Sequence, residues 1–151
     1  MKFLFITLNL CVFWCSSVYA ETGKLDLAKQ YVEKLNFMQH YRAQTRKDLQ
    51  PLMMEVYSAE NLSNVHERVE NALSQIDEQL LSMTDQLNEQ IALGFADKLT
   101  KEQLKERLSQ EVHPEDITGA LNFKWNYDPS EKRFVLSQPG GDPYRLLNSA
   151  E

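Results

Sequence analysis

From Leu62 to Phe95 the apolar residues Leu62, Val65, Val69, Ala72, Leu73, Ile76, Leu80, Met83, Leu87 and Ile91 recur at steps of three or four, with one adjacent pair. At about 100° per residue they fall within an arc of roughly 100°. The opposite arc carries Glu67, Asn71, Ser74, Glu78, Ser82, Asp85 and Glu89, and Leu81 is its one exception. The pattern predicts an amphipathic helix of about 34 residues, about 51 Å long. A strand, with its period of two, cannot generate it.

A second stripe precedes it. Leu27, Tyr31, Leu35, Met38, Leu49, Leu52, Met53 and Val56 share an arc of roughly 100°, predicting a helix from about Lys24 to Tyr57. Pro51 lacks the amide that a helix interior needs, so a kink there or a short break near Gln50 is expected. Ser58-Ala59-Glu60-Asn61 is too short a connection for anything but antiparallel neighbours. Arg42 and Thr45 replace apolar residues within the stripe. Counting outward from the turn places Arg42 opposite Asp77 and Thr45 opposite Ser74. Two readings of Arg42 stand: a pair with Asp77 or Glu78 that sets the helix register, or a snorkelling side chain with its head in water.

Thr100-Lys101-Glu102-Gln103 reads as a capping box opening a short third helix with Leu104, Leu108 and Val112 on one side. His113-Pro114 ends it, and its length suits it to cover the end of the hairpin that carries the chain termini. Leu121, Phe123, Trp125 and Tyr127 then alternate with polar residues, a period of two. Asp128-Pro129-Ser130-Glu131 is a turn, and Arg133 to Ser137 supplies a second strand with Phe134 and Leu136 inward. An isolated hairpin is marginal in water, so the third helix and the adjoining ends of the long helices are its expected platform. The fold class is therefore mainly α: a long antiparallel helical hairpin plus a short third helix, with a small C-terminal β-hairpin. By residue, 21–118 form the helical part, 119–138 the β-hairpin, and 139–151 a tail after Pro139-Gly140-Gly141.

The N-terminus adds a compartment. Lys2, an apolar run from Phe3 to Trp14, and Val18-Tyr19-Ala20 before Glu21 make a secretory signal peptide over 1–20, with cleavage expected after Ala20. Cys15 follows bulky residues, which argues against a lipidated cysteine. Removing 20 of the 151 residues leaves 131, with 15 basic residues against 22 acidic ones and neither cysteine. A disulfide-free exported domain must hold together by packing, which suits a bacterial periplasm. Its acidic balance argues against nucleic acid and anionic membranes, so membrane contact is expected only during export.

Chemistry-bearing patterns are sparse. His66 and Glu70, one turn apart, resemble half of a metal site but lack the second histidine of a zinc-protease helix. There is no cysteine in the exported chain and no Gly-x-Ser-x-Gly elbow, and the carboxylates follow the polar faces of helices. No catalytic, metal or cofactor residue is assigned, and the chain is read as non-catalytic. Apolar residues off the two stripes remain, among them Leu25, Val32, Phe37, Met54, Tyr57, Leu81, Leu93 and Phe95. Either the third helix and the β-hairpin cover them, or they form a self-association face or a groove for a partner. Coverage is expected near the termini-bearing end and association near Met54 and Tyr57. Trp125 is assigned either to a satellite core or to a strand edge that accepts a partner.

Leu99-Thr100-Lys101-Glu102-Gln103 resembles the Leu-Thr-x-x-Gln motif of the Spy/CpxP-type periplasmic chaperones and stress regulators, which are also small, exported and helical. That resemblance covers five residues and implies ATP-independent chaperoning on a cradle-shaped dimer. The family carries the motif twice and this chain once, and the C-terminal hairpin departs from the pattern. The expected function is a chaperone- or adaptor-like periplasmic interaction protein that binds a protein partner through Arg42, Met54, Tyr57, Leu81 and Trp125. A homodimer is a further arrangement open to it. The alternatives are an inhibitor or immunity-type protein acting through the β-hairpin and tail, and a small hydrolase or metal binder.

Overall fold

The computed structural model describes residues 22–121 and 124–136; residues 1–21, 122–123 and 137–151, and with them the expected leader, Phe123, Ser137 and the tail, lie outside them. The elements are α1 (Thr22–Leu35), α2 (Phe37–Ala59), α3 (Val65–Lys98), α4 (Lys101–Ser109), α5 (Pro114–Ala120), β1 (Trp125–Asp128) and β2 (Arg133–Leu136). No described helix is long and apolar enough to cross a membrane.

The long helical hairpin is present, with α1 and α2 as one arm and α3 as the other. Its first arm breaks at Asn36 and not at Pro51. Asn36 adopts the left-handed conformation, φ 49° and ψ 37°, which asparagine tolerates better than most residues. Its amide still donates to Val32 O at 3.1 Å, and the next helix restarts when Gln39 N–H donates to Asn36 O at 3.1 Å. Pro51 lies inside an unbroken α2. Leu49 and Met53, both 0% exposed on either side of it, hold the helix against the core and offset the missing hydrogen bond.

The tip connection is longer than Ser58–Asn61, because α3 starts at Val65 and not at Leu62. Asn61 and Asn64 both take positive φ, 53° and 55°, to turn the chain. Arg68 Nε closes the turn by donating to Ser63 O at 2.9 Å. Antiparallel register then shows in the pairs that meet across the arms: Lys29 with Glu89, Arg42 with Asp77, and Arg46 with Glu70. Toward the other end, the Tyr31 and Phe95 rings meet edge to face at 5.1 Å.

The apolar stripe of α3 is not straight. Val69, Leu73, Ile76, Leu80 and Leu87 are buried on one bearing, and Ala92, Phe95, Ala96 and Leu99 are buried beyond them. At about 100° per residue the second group centres roughly 120° further round the helix. The break at Asn36 accounts for this, since α1 meets α3 on a different side from α2. Phe95, off the straight stripe, is thereby 0% exposed.

Both halves of the predicted capping box are formed. Gln103 N–H donates to Thr100 Oγ1 at 3.2 Å, and Thr100 N–H donates to Gln103 Oε1 at 2.8 Å. Helix α4 packs along α1. Lys34 Nζ donates to Leu108 O at 2.7 Å and also to Gln110 O, capping the carbonyl end of α4 with a cation. Helix α4 ends at Ser109, short of Val112, so His113-Pro114 does not terminate it; Pro114 instead opens α5, with Glu115 and Asp116 in the first turn. Leu121 therefore keeps a helical hydrogen bond to Ile117, at 3.1 Å, and β1 begins at Trp125.

The β-hairpin pairs Trp125 with Leu136 and Tyr127 with Phe134. Asp128 Oδ1 organises its turn by accepting from Ser130 N–H at 2.9 Å and Ser130 Oγ at 2.6 Å. The hairpin does not rest at the termini-bearing end. It packs on α2 at the tip, where Phe134 meets Tyr57 edge to face at 6.4 Å. Helix α5, unseen in the sequence pattern, also packs on α2 and helps carry the chain from α4 to that end.

Candidate functional site

Arg42 is half-buried on α2 and makes a two-pronged contact with Asp77. Its Nε donates to Oδ1 and its Nη2 to Oδ2, each at 2.7 Å. Such a fork is the strongest geometry an arginine and a carboxylate can adopt. The hydrogen bonds from Arg42 hold the Asp77 carboxyl below its ordinary range, and the same bonds raise Arg42. One turn on, Arg46 pairs with Glu70, which also accepts from Gln50 Nε2 at 3.1 Å. Glu70, one turn from the exposed His66, therefore faces Arg46 and Gln50 of α2.

Between these ion pairs lies buried polarity that the sequence placed correctly but could not price. Thr45 is 2% exposed in the seam, and its hydroxyl finds no hydrogen-bond partner among the described residues. Tyr41, beside Arg42, is buried, and burial pushes its phenol up to about 12. No group of three or more histidine, cysteine or carboxylate side chains is gathered as a metal site among the described residues.

Met54 and Tyr57 are half-buried and belong to the packing at the tip. Tyr57 lies against Phe134, whose ring in turn meets Tyr127 at 5.1 Å. Tyr127 hydroxyl donates to Glu60 Oε1 at 3.2 Å, tying the β-hairpin to the end of α2. Burial and the neighbouring Glu60 carboxylate raise both phenols. Trp125 is 5% exposed and part of the core, with its Nε1 unpartnered among the described residues. The structure therefore brings Met54, Tyr57 and Trp125 into one packed end and leaves Arg42 apart, in the middle of the hairpin.

Leu81 stands differently. It is 55% exposed, and Leu93 is 37% exposed; these are the large exposed hydrophobics of the described chain. Val32 and Phe37, also off the stripe, are 2% and 3% exposed. Coverage by the C-terminal third has thus taken up the off-stripe apolar residues of α1 and α2, and α3 keeps its outer side bare. Sequence reasoning did not see Asn88, whose Oδ1 is buried without a partner two turns beyond Leu81. A swing of the apolar stripe past Leu87 was the signal available for it.

No protein-family model matches the chain, and neither the curated proteins nor the solved structures compared with it give a match.

Proposed function

We propose that this is an exported, non-catalytic interaction protein of the chaperone or adaptor kind, which holds a protein partner on its helical hairpin. The observation that carries this reading is the outer side of α3. A 34-residue helix packs on α1 and α2 along one side and presents the other, with Leu81 at 55% exposure in its middle. A leucine kept in water on an otherwise polar helix face is available to a partner's apolar side chain. The leader over 1–20 supports a periplasmic location.

The test is suppression of light scattering by a chemically denatured client diluted into buffer with the purified exported chain. Near-equimolar suppression, weakened by Leu81→Asp, is the expected result; undiminished scattering overturns the reading.

A second reading is favoured by a separate observation. Among the described residues both strands of the β-hairpin are edge strands, held at the tip by side-chain contacts, and an edge accepts a partner strand. An inhibitor would act there. Truncation before the hairpin is a poor test, because Ile117, Leu121, Trp125 and Phe134 are core. Asn126→Lys keeps the backbone amide and the aromatic face while placing a charge on the exposed side of the edge strand, so loss of a partner by this variant would favour the inhibitor reading.

A further inference from the structure

The charge of this protein is unevenly placed. Helix α3 carries seven carboxylates against Arg68 and Lys98, a net of −5. By the same count α1, α2 and α4 are each +1. Three of the α3 acids, Glu70, Asp77 and Glu89, are neutralised by Arg46, Arg42 and Lys29 across the seam. Glu78 and Asp85 make no ion pair among the described residues.

These acids lie beside the exposed leucine. On a helix the neighbours of Leu81 are the residues three and four positions away. They are Asp77, Glu78, Thr84 and Asp85, so three of the four are carboxylic acids. Asp77 is paired with Arg42, so the bare side of α3 is a leucine flanked along one side by the unpaired carboxylates Glu78 and Asp85.

That chemistry selects the occupant. A second copy docking through this face would set the unpaired Glu78 and Asp85 against the same acids of the other copy, and like charges at close range oppose contact. An anionic bilayer is opposed for the same reason. We infer that the outer face of α3 around Leu81 binds a cationic amphipathic helix, whose apolar side chain covers Leu81 while lysines or arginines three and four positions away meet Glu78 and Asp85. This rests on the proposed partner-holding function and names the class of segment held.

The probe is a synthetic amphipathic peptide with leucines along one face and lysines elsewhere, titrated against the purified exported chain by fluorescence anisotropy. Its counterpart with glutamate at every lysine position is the control. The lysine peptide is expected to bind, to weaken as salt is raised, and to lose about tenfold or more in affinity with Leu81→Asp. Leu93→Asp, on a different bearing of α3, leaves affinity within about twofold. Glu78→Gln with Asp85→Asn flattens the salt dependence. Leu81 is exposed, so its substitution leaves the core intact, and an unchanged circular dichroism spectrum verifies this.

Equal binding of both peptides, binding unaffected by Leu81→Asp, or no binding of the lysine peptide overturns the inference. So does self-association that Leu81→Asp abolishes, which would make a second copy the occupant. If the lysine peptide fails while a denatured client is still held, the cationic segment is wrong and the holding function stands. If both fail, both are wrong.

Discussion

Arg42 reaches across the helical hairpin to Asp77, 35 positions along the chain, with two hydrogen bonds of 2.7 Å. The contact spans the one stretch where the apolar stripe of the first arm is interrupted by polar residues. A fork at a single place can specify which turn of α3 lies against which turn of α2, since sliding by one turn leaves the guanidinium without its carboxylate. Both side chains remain partly open to water, 25% and 42% exposed, so the energy gained is limited by screening.

Arg42→Ala, Asp77→Ala and the double variant form a cycle that measures the pair. A coupling of about 1 kcal/mol at neutral pH is expected from denaturant unfolding, at the upper end for exposed pairs because the contact is bidentate. Zero coupling would leave the register to apolar packing alone.

The same pair has a pH signature. Hydrogen bonds from Arg42 hold Asp77 below its ordinary value of 3.8 in the folded state. A depressed carboxyl contributes stability above its unfolded value and loses it as pH falls through the folded value. Wild type is therefore expected to exceed Asp77→Asn in stability at pH 7, with the gap closing only below about pH 4. A gap that closes between pH 5 and 7 would assign the effect to another group.

Asn36 is the hinge of the first arm. Its left-handed backbone tolerates asparagine or glycine and penalises a side chain branched or methylated at Cβ. Asn36→Ala is expected to cost about 1 kcal/mol, and Asn36→Gly less, by thermal or denaturant unfolding. A stabilised Asn36→Ala variant would mean that α1 and α2 can merge into one helix.

Phe134 closes the tip. It is 1% exposed between Tyr57 and Tyr127, and its truncation to alanine is expected to cost about 3–4 kcal/mol. Trp125, 5% exposed, reports the event. In a chain prepared without residues 1–20 it is the only tryptophan, so its emission should shift to the red in Phe134→Ala while helical circular dichroism largely persists. Unshifted emission would show that the β-hairpin is held by other contacts.

Local pattern was enough for the helical hairpin, the β-hairpin and the capping box at Thr100. These follow from periodicity and from residue types that act on their immediate neighbours. Counting from the tip also put Arg42 against Asp77, because antiparallel rods joined by a short turn have a nearly forced register. The presence of Leu81 on a polar face, and the acids around it, could likewise be read directly from spacing. Export was read from the first twenty residues, which lie outside the described structure.

What tertiary structure decided was where the chain bends and what covers what. Pro51 is the stronger local breaker, yet the helix breaks at Asn36, since buried Leu49 and Met53 hold the backbone through the proline. Pro114 was a stop by its chemistry and became the first residue of α5. Met54 and Tyr57 had the composition of a docking patch until the β-hairpin arrived at the tip. Each outcome depends on burial by elements distant in sequence, and burial is a property of the whole packing that no window of neighbouring residues contains.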